Sequence, residues 1–157
     1  MGRTSNHNYY EDFEVGDVYS HTRGKTMTEM DNVLITNLVL NTAQGHFNED
    51  QMEDREFGER IVYGGVNLSL VCGLASEDIS ENAITELAYD DVQFTQPVFH
   101  GDTLYAESEV LAKRDSDERP NGGVVTFRVR GYNQDDDQVL GATKKVLLKK
   151  REYYGSE

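Results

Sequence analysis

The sequence predicts an α+β fold in which an antiparallel sheet curls around one enclosed helix. Two observations carry that prediction. The stretch GGVNLSLVCGLASED places Val66, Leu68, Leu70, Val71, Cys72, Leu74 and Ala75 on nearly every side of a helix, and a helix apolar all round has to be covered by other structure. From Ala83 onward the pattern changes to four long strands, AITELAYDDVQFTQPV, DTLYAESEVLAKR, GGVVTFRVRGYNQ and QVLGATKKVLLKKR, separated by HGD, RPNGG and the QDDDQ turn. In the third of these Val125, Phe127 and Val129 alternate with Thr126, Arg128 and Arg130, the period of a half-buried antiparallel strand.

Ahead of this core, DFEVGDVYSHTRGKTMT reads as a turn at Gly16-Asp17 followed by a strand of polar alternation that ends at Thr28. Thr28 opens a helix: it is a hydroxyl N-cap, Glu29 lies in the first turn, Asp31 is at the third position, and Met30, Val33, Leu34 and Leu38 follow at helical spacing. The helix is expected to finish near Asn41. Ile35, Val39 and Leu40 widen its apolar surface beyond one stripe, so it is expected to be largely buried. The polar loop NTAQGHFNED follows, and EDQMEDREFG predicts a short acidic turn of helix before Ile61.

Composition bounds the partners. With 157 residues and no shift that marks a linker, residues 1–157 are expected to form a single domain. The 29 Asp and Glu outnumber the 15 Lys and Arg, giving a net charge of −14, which repels nucleic acid phosphates and anionic lipid alike. The acidic residues are spread along the chain, as expected for a protein of a salt-rich cytoplasm, where molar salt cuts the screening length to roughly 3 Å. Cys72 is the sole cysteine, which excludes an intramolecular disulfide and fits a reducing compartment. MGRTSNHNYYEDF has no apolar signal stretch and no segment approaches a membrane span, so no membrane partner and a cytoplasmic location are expected.

The chemistry concentrates in two places. Asn41 and His46, five residues apart, sit where the first helix runs out into its loop, and FGERIVYGG leads into the apolar helix. Imidazole titrates near neutrality, which makes His46 the best acid–base candidate, although a lone loop histidine is more often simply exposed. The amide of Gly64, at the start of a buried helix, can point at a carbonyl oxygen with the helix dipole behind it. Glycines there also serve merely to turn the chain. His100 in PVFHGDTL lies in a turn with no nucleophile at a useful spacing and reads as structural. The four histidines lack metal-ligand spacing, Asp135 to Asp137 lack the alternation of a calcium loop, and no metal is expected. There is no phosphate loop, dinucleotide fingerprint or G-x-S-x-G.

The segments TMTEMDNVLITNLVLNTAQGHFNED, FGERIVYGG, FTQPVFHGDTLYAESEV and RPNGGVVTFRVRGYNQ together resemble the MaoC-like dehydratases of the hot-dog fold, and among them the mesaconyl-CoA hydratase and methylmalyl-CoA dehydratase branch. The resemblance covers most of residues 9–150. It implies a hot-dog domain that adds water to, or eliminates it from, a small branched or dicarboxylic enoyl-CoA thioester. It also implies at least a homodimer with the site near the subunit boundary, and no cofactor other than the coenzyme A of the substrate. His46 matches the family's histidine and Gly64 its amide donor, whereas Asn41 stands where the general pattern has Asp, as it does in the mesaconyl-CoA branch. Asn48 replaces the usual Asp two residues beyond the histidine, and Tyr63 fills a position often held by His.

An amide cannot take up a proton at neutral pH, so proton traffic falls on His46, on water or on the substrate's own carboxylate, with Asn41 left to clamp the water. Lys113, Arg114, Arg119, Arg128, Arg130, Lys144 and Lys145 are candidate contacts for the coenzyme A phosphates, although such charges mostly belong to solvated sheet faces. The enzymatic alternative is a hot-dog thioesterase, which often carries a carboxylate on the enclosed helix; residues 66–76 contain none and Glu77 arrives only at its end. The non-enzymatic alternative, favoured by Asn41, is an acyl-CoA binding module.

Overall fold

In the computed structural model, which describes residues 7–155, a 3-10 turn at Tyr10–Asp12 leads into β1 (Val18–Thr26), α1 (Glu29–Leu38) and two one-turn helices, α2 (Gln44–Phe47) and α3 (Glu49–Glu53). The long helix α4 (Gly64–Ile79) follows, then β2 (Ala83–Phe94), β3 (Thr103–Asp115), β4 (Gly122–Tyr132), β5 (Gln138–Lys149) and a last turn of helix, α5 (Arg151–Tyr154). The strands form one antiparallel sheet in the order β1-β3-β4-β5-β2, and α4 packs against β1, β3, β4 and β5. Among the described residues no helix is long and apolar enough to cross a membrane.

The period-2 pattern of the strands decides which side meets the helix. Val125, Phe127 and Val129 of β4 and Val146 and Leu148 of β5 are fully buried against Val66, Val71, Ala75 and Ile79 of α4. Each such side chain contributes roughly 1.5–3 kcal/mol by leaving water. Helix and sheet approach so closely that a Cβ at Gly131 would lie 2.6 Å from Val71 Cγ2. On the opposite face the alternate residues pair with acids: Arg128 with Asp91 at 3.1 Å, Arg130 with Glu109 at 2.7 Å and Lys145 with Asp90 at 2.8 Å. Exposed pairs of this kind are worth at most about 1 kcal/mol each.

Those pairs also engage most of the basic residues named as candidate phosphate contacts. In so acidic a chain nearly every cation on the strands already has a carboxylate. Lys144 is buried and bonds Glu86 at 2.5 Å, Arg114 lies 3.6 Å from Asp117, and Lys113 donates to the Phe13 carbonyl at 2.8 Å. Of the seven, Lys113 and Arg119 make no ion pair among the described residues.

Three polar side chains are sealed between sheet and helix. His21 on β1 bonds Asp78 of α4 through Nδ1 at 2.5 Å and Ser108 of β3 through Nε2 at 2.8 Å. The Ser–His–Asp order is that of a hydrolase triad, yet Ser108 is fully buried. The trio fastens both strands to the C-terminal turn of α4 and presents no nucleophile.

Thr28 caps α1 as expected. Its Oγ1 accepts the Asp31 amide at 3.2 Å while its own amide and hydroxyl donate to Asp31 Oδ2 at 2.8 and 2.6 Å. Burial alone would raise the Asp31 carboxyl, but hydrogen bonds from the Lys25 ammonium and from the Thr28 hydroxyl and amide outweigh it and hold the group down at about 2, against an ordinary 3.8. A depressed carboxyl stabilises the fold above its ordinary value and loses that contribution as pH falls through the folded value. Asp31→Ala is therefore expected to lower stability by about 1 kcal/mol at pH 7. In urea unfolding the gap between variant and parent should close as pH is taken from 3.8 down to about 2.

The rest of α1 departs from expectation in two ways. It stops at Leu38, not near Asn41, because Leu40 turns into the left-handed region at φ 61. The Asn41 amide then reaches the Thr36 carbonyl at 2.8 Å and the Leu40 amide the Asn37 carbonyl at 3.2 Å, a Schellman ending built without glycine. Nor is the helix largely buried. Met30, Leu34, Leu38, Val39 and Leu40 are 52–84% exposed, whereas the fully buried side chains of α1 are Asn32 and Thr36, with Ile35 partly buried against the core. Likewise α4 is enclosed on its sheet side only, with Ser69, Gly73 and Glu77 open to solvent. Cys72 is buried as expected, and burial pushes its thiol pKa up.

The first and last described elements clasp one another. Arg151 pairs with Asp12 and lies 4.6 Å over the Tyr9 ring, and its amide donates to Glu11 at 3.0 Å.

Candidate active site at the start of the central helix

Tyr63 is the N-cap of α4 and offers its carbonyl to the amides of Val66 and Asn67 at 2.9 and 3.3 Å. The amides of Gly64 and Gly65, ahead of them, have no acceptor among the described residues. Unpaired N–H groups and the aligned peptide dipoles of a 16-residue helix together act as roughly half a positive charge at this end. Glycine is needed for access. A Cβ on residue 64 would sit 2.9 Å from the Phe94 ring, and one on residue 65 would sit 2.5 Å from the ring of Tyr63.

A cavity of about 620 Å³ opens at this helix start, walled by Tyr63, Gly64, Gly65 and Leu68 on one side and by Phe94 and Val98 on another. Phe57, held edge-on to Phe99 at 6.2 Å, also lines it.

His46 reaches the same place from α2, a single turn of helix where a loop was expected. Its Nδ1 lies 2.7 Å from the Ile61 carbonyl. A carbonyl only accepts, so Nδ1 carries the proton and Nε2 of the neutral ring is left with its lone pair. The Ile61 amide returns a bond to Gly45 at 3.0 Å. Two bonds thus tie α2, one of them through the histidine, to a residue three positions ahead of Gly64. The imidazole faces the Tyr63 ring at 5.8 Å, and Tyr63 lines the cavity, although His46 itself is not on its wall.

Asn32, which sequence reasoning passed over, holds this junction together. Fully buried on α1, it donates from Nδ2 to the Ile61 carbonyl at 3.3 Å and accepts the Tyr63 amide on Oδ1 at 3.1 Å. His100 meets Asn32 Nδ2 at 3.0 Å, so its turn buttresses the site as a structural part. Arg60 bonds Glu29 at 2.8 Å and also pairs with Glu49, which pins α1 and α3 to the approach segment.

Asn41 is less closely engaged. It is half-buried just past the Schellman turn, its Oδ1 accepts the Ala43 amide at 3.5 Å, and no hydrogen bond joins it to His46. The structure therefore brings His46 and Gly64 into one neighbourhood through Tyr63 and sets Asn41 at the head of the loop that carries the histidine. Asn67, read in the sequence only as part of an apolar run, also lines the cavity; it is 4% exposed and its Oδ1 has no partner. Burying an unpaired polar atom costs about 1–3 kcal/mol.

A five-stranded antiparallel sheet wrapped on a single long helix, with an amide-lined pocket at the helix start, defines a hot-dog protein of the MaoC-like class. The sequence profile of the mesaconyl-CoA hydratase family matches residues 4–150. The β-methylmalyl-CoA dehydratase of Chloroflexus aurantiacus is 39% identical over 119 residues, covering 76% of this chain and 34% of that protein. The mesaconyl-CoA hydratase of Haloarcula marismortui is 30% identical over 145 residues, covering 92% of this chain and 40% of its own. Among solved structures, a monoamine oxidase regulatory protein from Archaeoglobus superposes with a TM-score of 0.82 at 30% identity, covering 96% of this chain and 98% of the other. A putative MaoC domain protein dehydratase from Chloroflexus aurantiacus gives 0.86 at 33% identity, covering 91% and 45%. The chain belongs to the mesaconyl-CoA hydratase family. It spans less than half the length of the two curated relatives described, 34% and 40%.

Proposed function

We propose that this protein adds water reversibly across the α,β double bond of a small branched or dicarboxylic enoyl-CoA thioester. One observation carries the reading: a histidine whose Nδ1–H is locked on the Ile61 carbonyl, and whose Nε2 is therefore a proton acceptor, is anchored beside a helix start with two unpaired amides. In the forward direction Nε2 takes a proton from water as the oxygen bonds to the β-carbon. The displaced electron pair moves onto the thioester oxygen, where the Gly64 N–H and the α4 dipole stabilise the enolate. The imidazolium then returns its proton to the α-carbon, which restores the neutral ring. Asn41 holds the water through its carboxamide and takes no proton. The pocket requires no group beyond the substrate's own coenzyme A.

The assay is incubation with mesaconyl-CoA and with crotonyl-CoA. Loss of the enoyl absorbance is expected. Release of free thiol would instead establish a thioesterase, and binding without change an acyl-CoA binding module. The absence of a carboxylate at residues 66–76 of α4 speaks against the thioesterase.

The partner that completes the molecule is a second copy. The exposed apolar residues of α1 and the open face of α4 support a homodimer. A monomeric mass by light scattering at assay concentration would refute it. The diffuse charge of −14 supports life in a salt-rich cytoplasm. Turnover and melting temperature should then rise together from dilute buffer to molar KCl; a fall in both rules it out.

A further inference from the structure

Val62 lies between the two groups the mechanism uses, and one side chain holds the peptide bonds on both sides of it. On the near side the Ile61 carbonyl, which locks His46 Nδ1 at 2.7 Å, also accepts from Asn32 Nδ2 at 3.3 Å. On the far side the Tyr63 amide, next along the chain to the Gly64 amide, donates to Asn32 Oδ1 at 3.1 Å. Asn32 is fully buried on α1 and is not part of the cavity wall. Whatever it does for the reaction it does through these two bonds.

The partners fix which way the carboxamide points. A peptide N–H only donates and a carbonyl only accepts, so Oδ1 faces Tyr63 and Nδ2 faces Ile61; turned over, the group would set donor against donor and acceptor against acceptor. The second Nδ2 proton is taken by His100, whose Nε2 lies 3.0 Å away. That nitrogen therefore accepts, and the His100 ring carries its proton on Nδ1. The frame closes on both sides: the Thr36 hydroxyl donates to the Asn32 carbonyl at 2.7 Å, and the Val62 amide donates to the Val98 carbonyl at 2.8 Å, two residues ahead of His100. Packing alone does not call for this residue. Leucine has nearly its shape and neither bond; aspartate has its shape and keeps the acceptor for Tyr63, but turns a second acceptor on the Ile61 carbonyl.

We infer that Asn32, oriented by His100, is a positioning residue that sets the span between the base His46 and the oxyanion amide of Gly64. The inference rests on the hydratase reading proposed above and adds what keeps its two working groups in register. A residue that never meets substrate can govern the rate in this way, because misplacing reacting groups by about 1 Å costs about 10²-fold.

The test measures kcat and KM for crotonyl-CoA hydration in Asn32→Leu, which removes both bonds, and in Asn32→Asp, which keeps the one to Tyr63 and reverses the one at Ile61. In each, kcat should fall about 10²-fold while KM changes by less than about threefold. Heteronuclear NMR of the His46 ring nitrogens supplies a readout that packing would not move. The parent should show one tautomer, protonated at Nδ1, and the variants an exchange between two, because the carbonyl that selects the tautomer is no longer held. A lower melting temperature with kcat and tautomer unchanged makes Asn32 a packing residue and overturns the inference. Should neither Asn32 variant fold, His100 decides, from a half-buried turn position. His100→Gln, whose Oε1 accepts in place of Nε2, should keep the parent's kcat and His46 tautomer, and His100→Leu should lose them; equal values in the two overturn the inference. If the parent hydrates no enoyl thioester, the hydratase reading fails by itself and the nitrogen spectra decide Asn32: a single His46 tautomer in the parent that is lost in the variants upholds its positioning role, and the same spectrum in all of them overturns it.

Discussion

His46→Ala is expected to lower kcat for enoyl-CoA hydration by about 10² to 10⁴, the usual contribution of one positioned acid–base group. The loss should be chemical more than structural. The Ile61 carbonyl that accepts from His46 Nδ1 at 2.7 Å also accepts from Asn32 Nδ2 at 3.3 Å, so removal of the imidazole does not leave it unsatisfied. His46→Gln separates the two roles, because its amide can donate to Ile61 but cannot take a proton from water. Both variants should fold and both should be nearly inactive. An unchanged hydration rate in His46→Ala would remove the histidine from the mechanism.

Gly64→Ala should lose about 10²-fold in kcat/KM, the scale expected when reacting atoms are misplaced by about 1 Å. The added methyl would lie 2.9 Å from the ring of Phe94. Phe94 is the last residue of β2 and its side chain is 53% exposed, so the ring can swing away at little cost to the fold. It would swing into the space at the mouth of the acyl pocket. Alanine is also a better helix residue than glycine by up to about 1 kcal/mol. A variant that melts no lower than its parent yet hydrates poorly is the expected pair of results. Full activity would show that no substrate oxygen docks at this amide.

Much of the architecture could be read in advance because the relevant patterns are local. Alternation at Val125, Phe127 and Val129 states which side of β4 is covered, and the Thr28 to Asp31 motif states where α1 begins. The end of α1 was hidden because the left-handed residue that closes it is Leu40, where glycine would have announced the turn. Its exposure was hidden for a different reason. An apolar stripe marks Met30, Leu34 and Leu38 as candidates for burial, and nothing in the stripe says that this chain leaves them exposed. At the site, His46 and Gly64 were legible from residue type and the glycine pair. Asn32 was not, since its role is a set of bonds to the backbone of Ile61 and Tyr63, some thirty positions away. Asn67 was masked by its apolar neighbours in sequence, and only the cavity distinguishes it from them.

The clasp of Arg151 with Asp12 and Tyr9 turns a string of five strands into something near a ring. With its first and last described elements already side by side, such a unit can be reopened at a surface turn and rejoined there by a short linker without disturbing the strand order, because closing a few residues of loop costs little chain entropy. The same neighbourliness suits tandem fusion: a second unit spliced on behind the first would emerge next to where the first began.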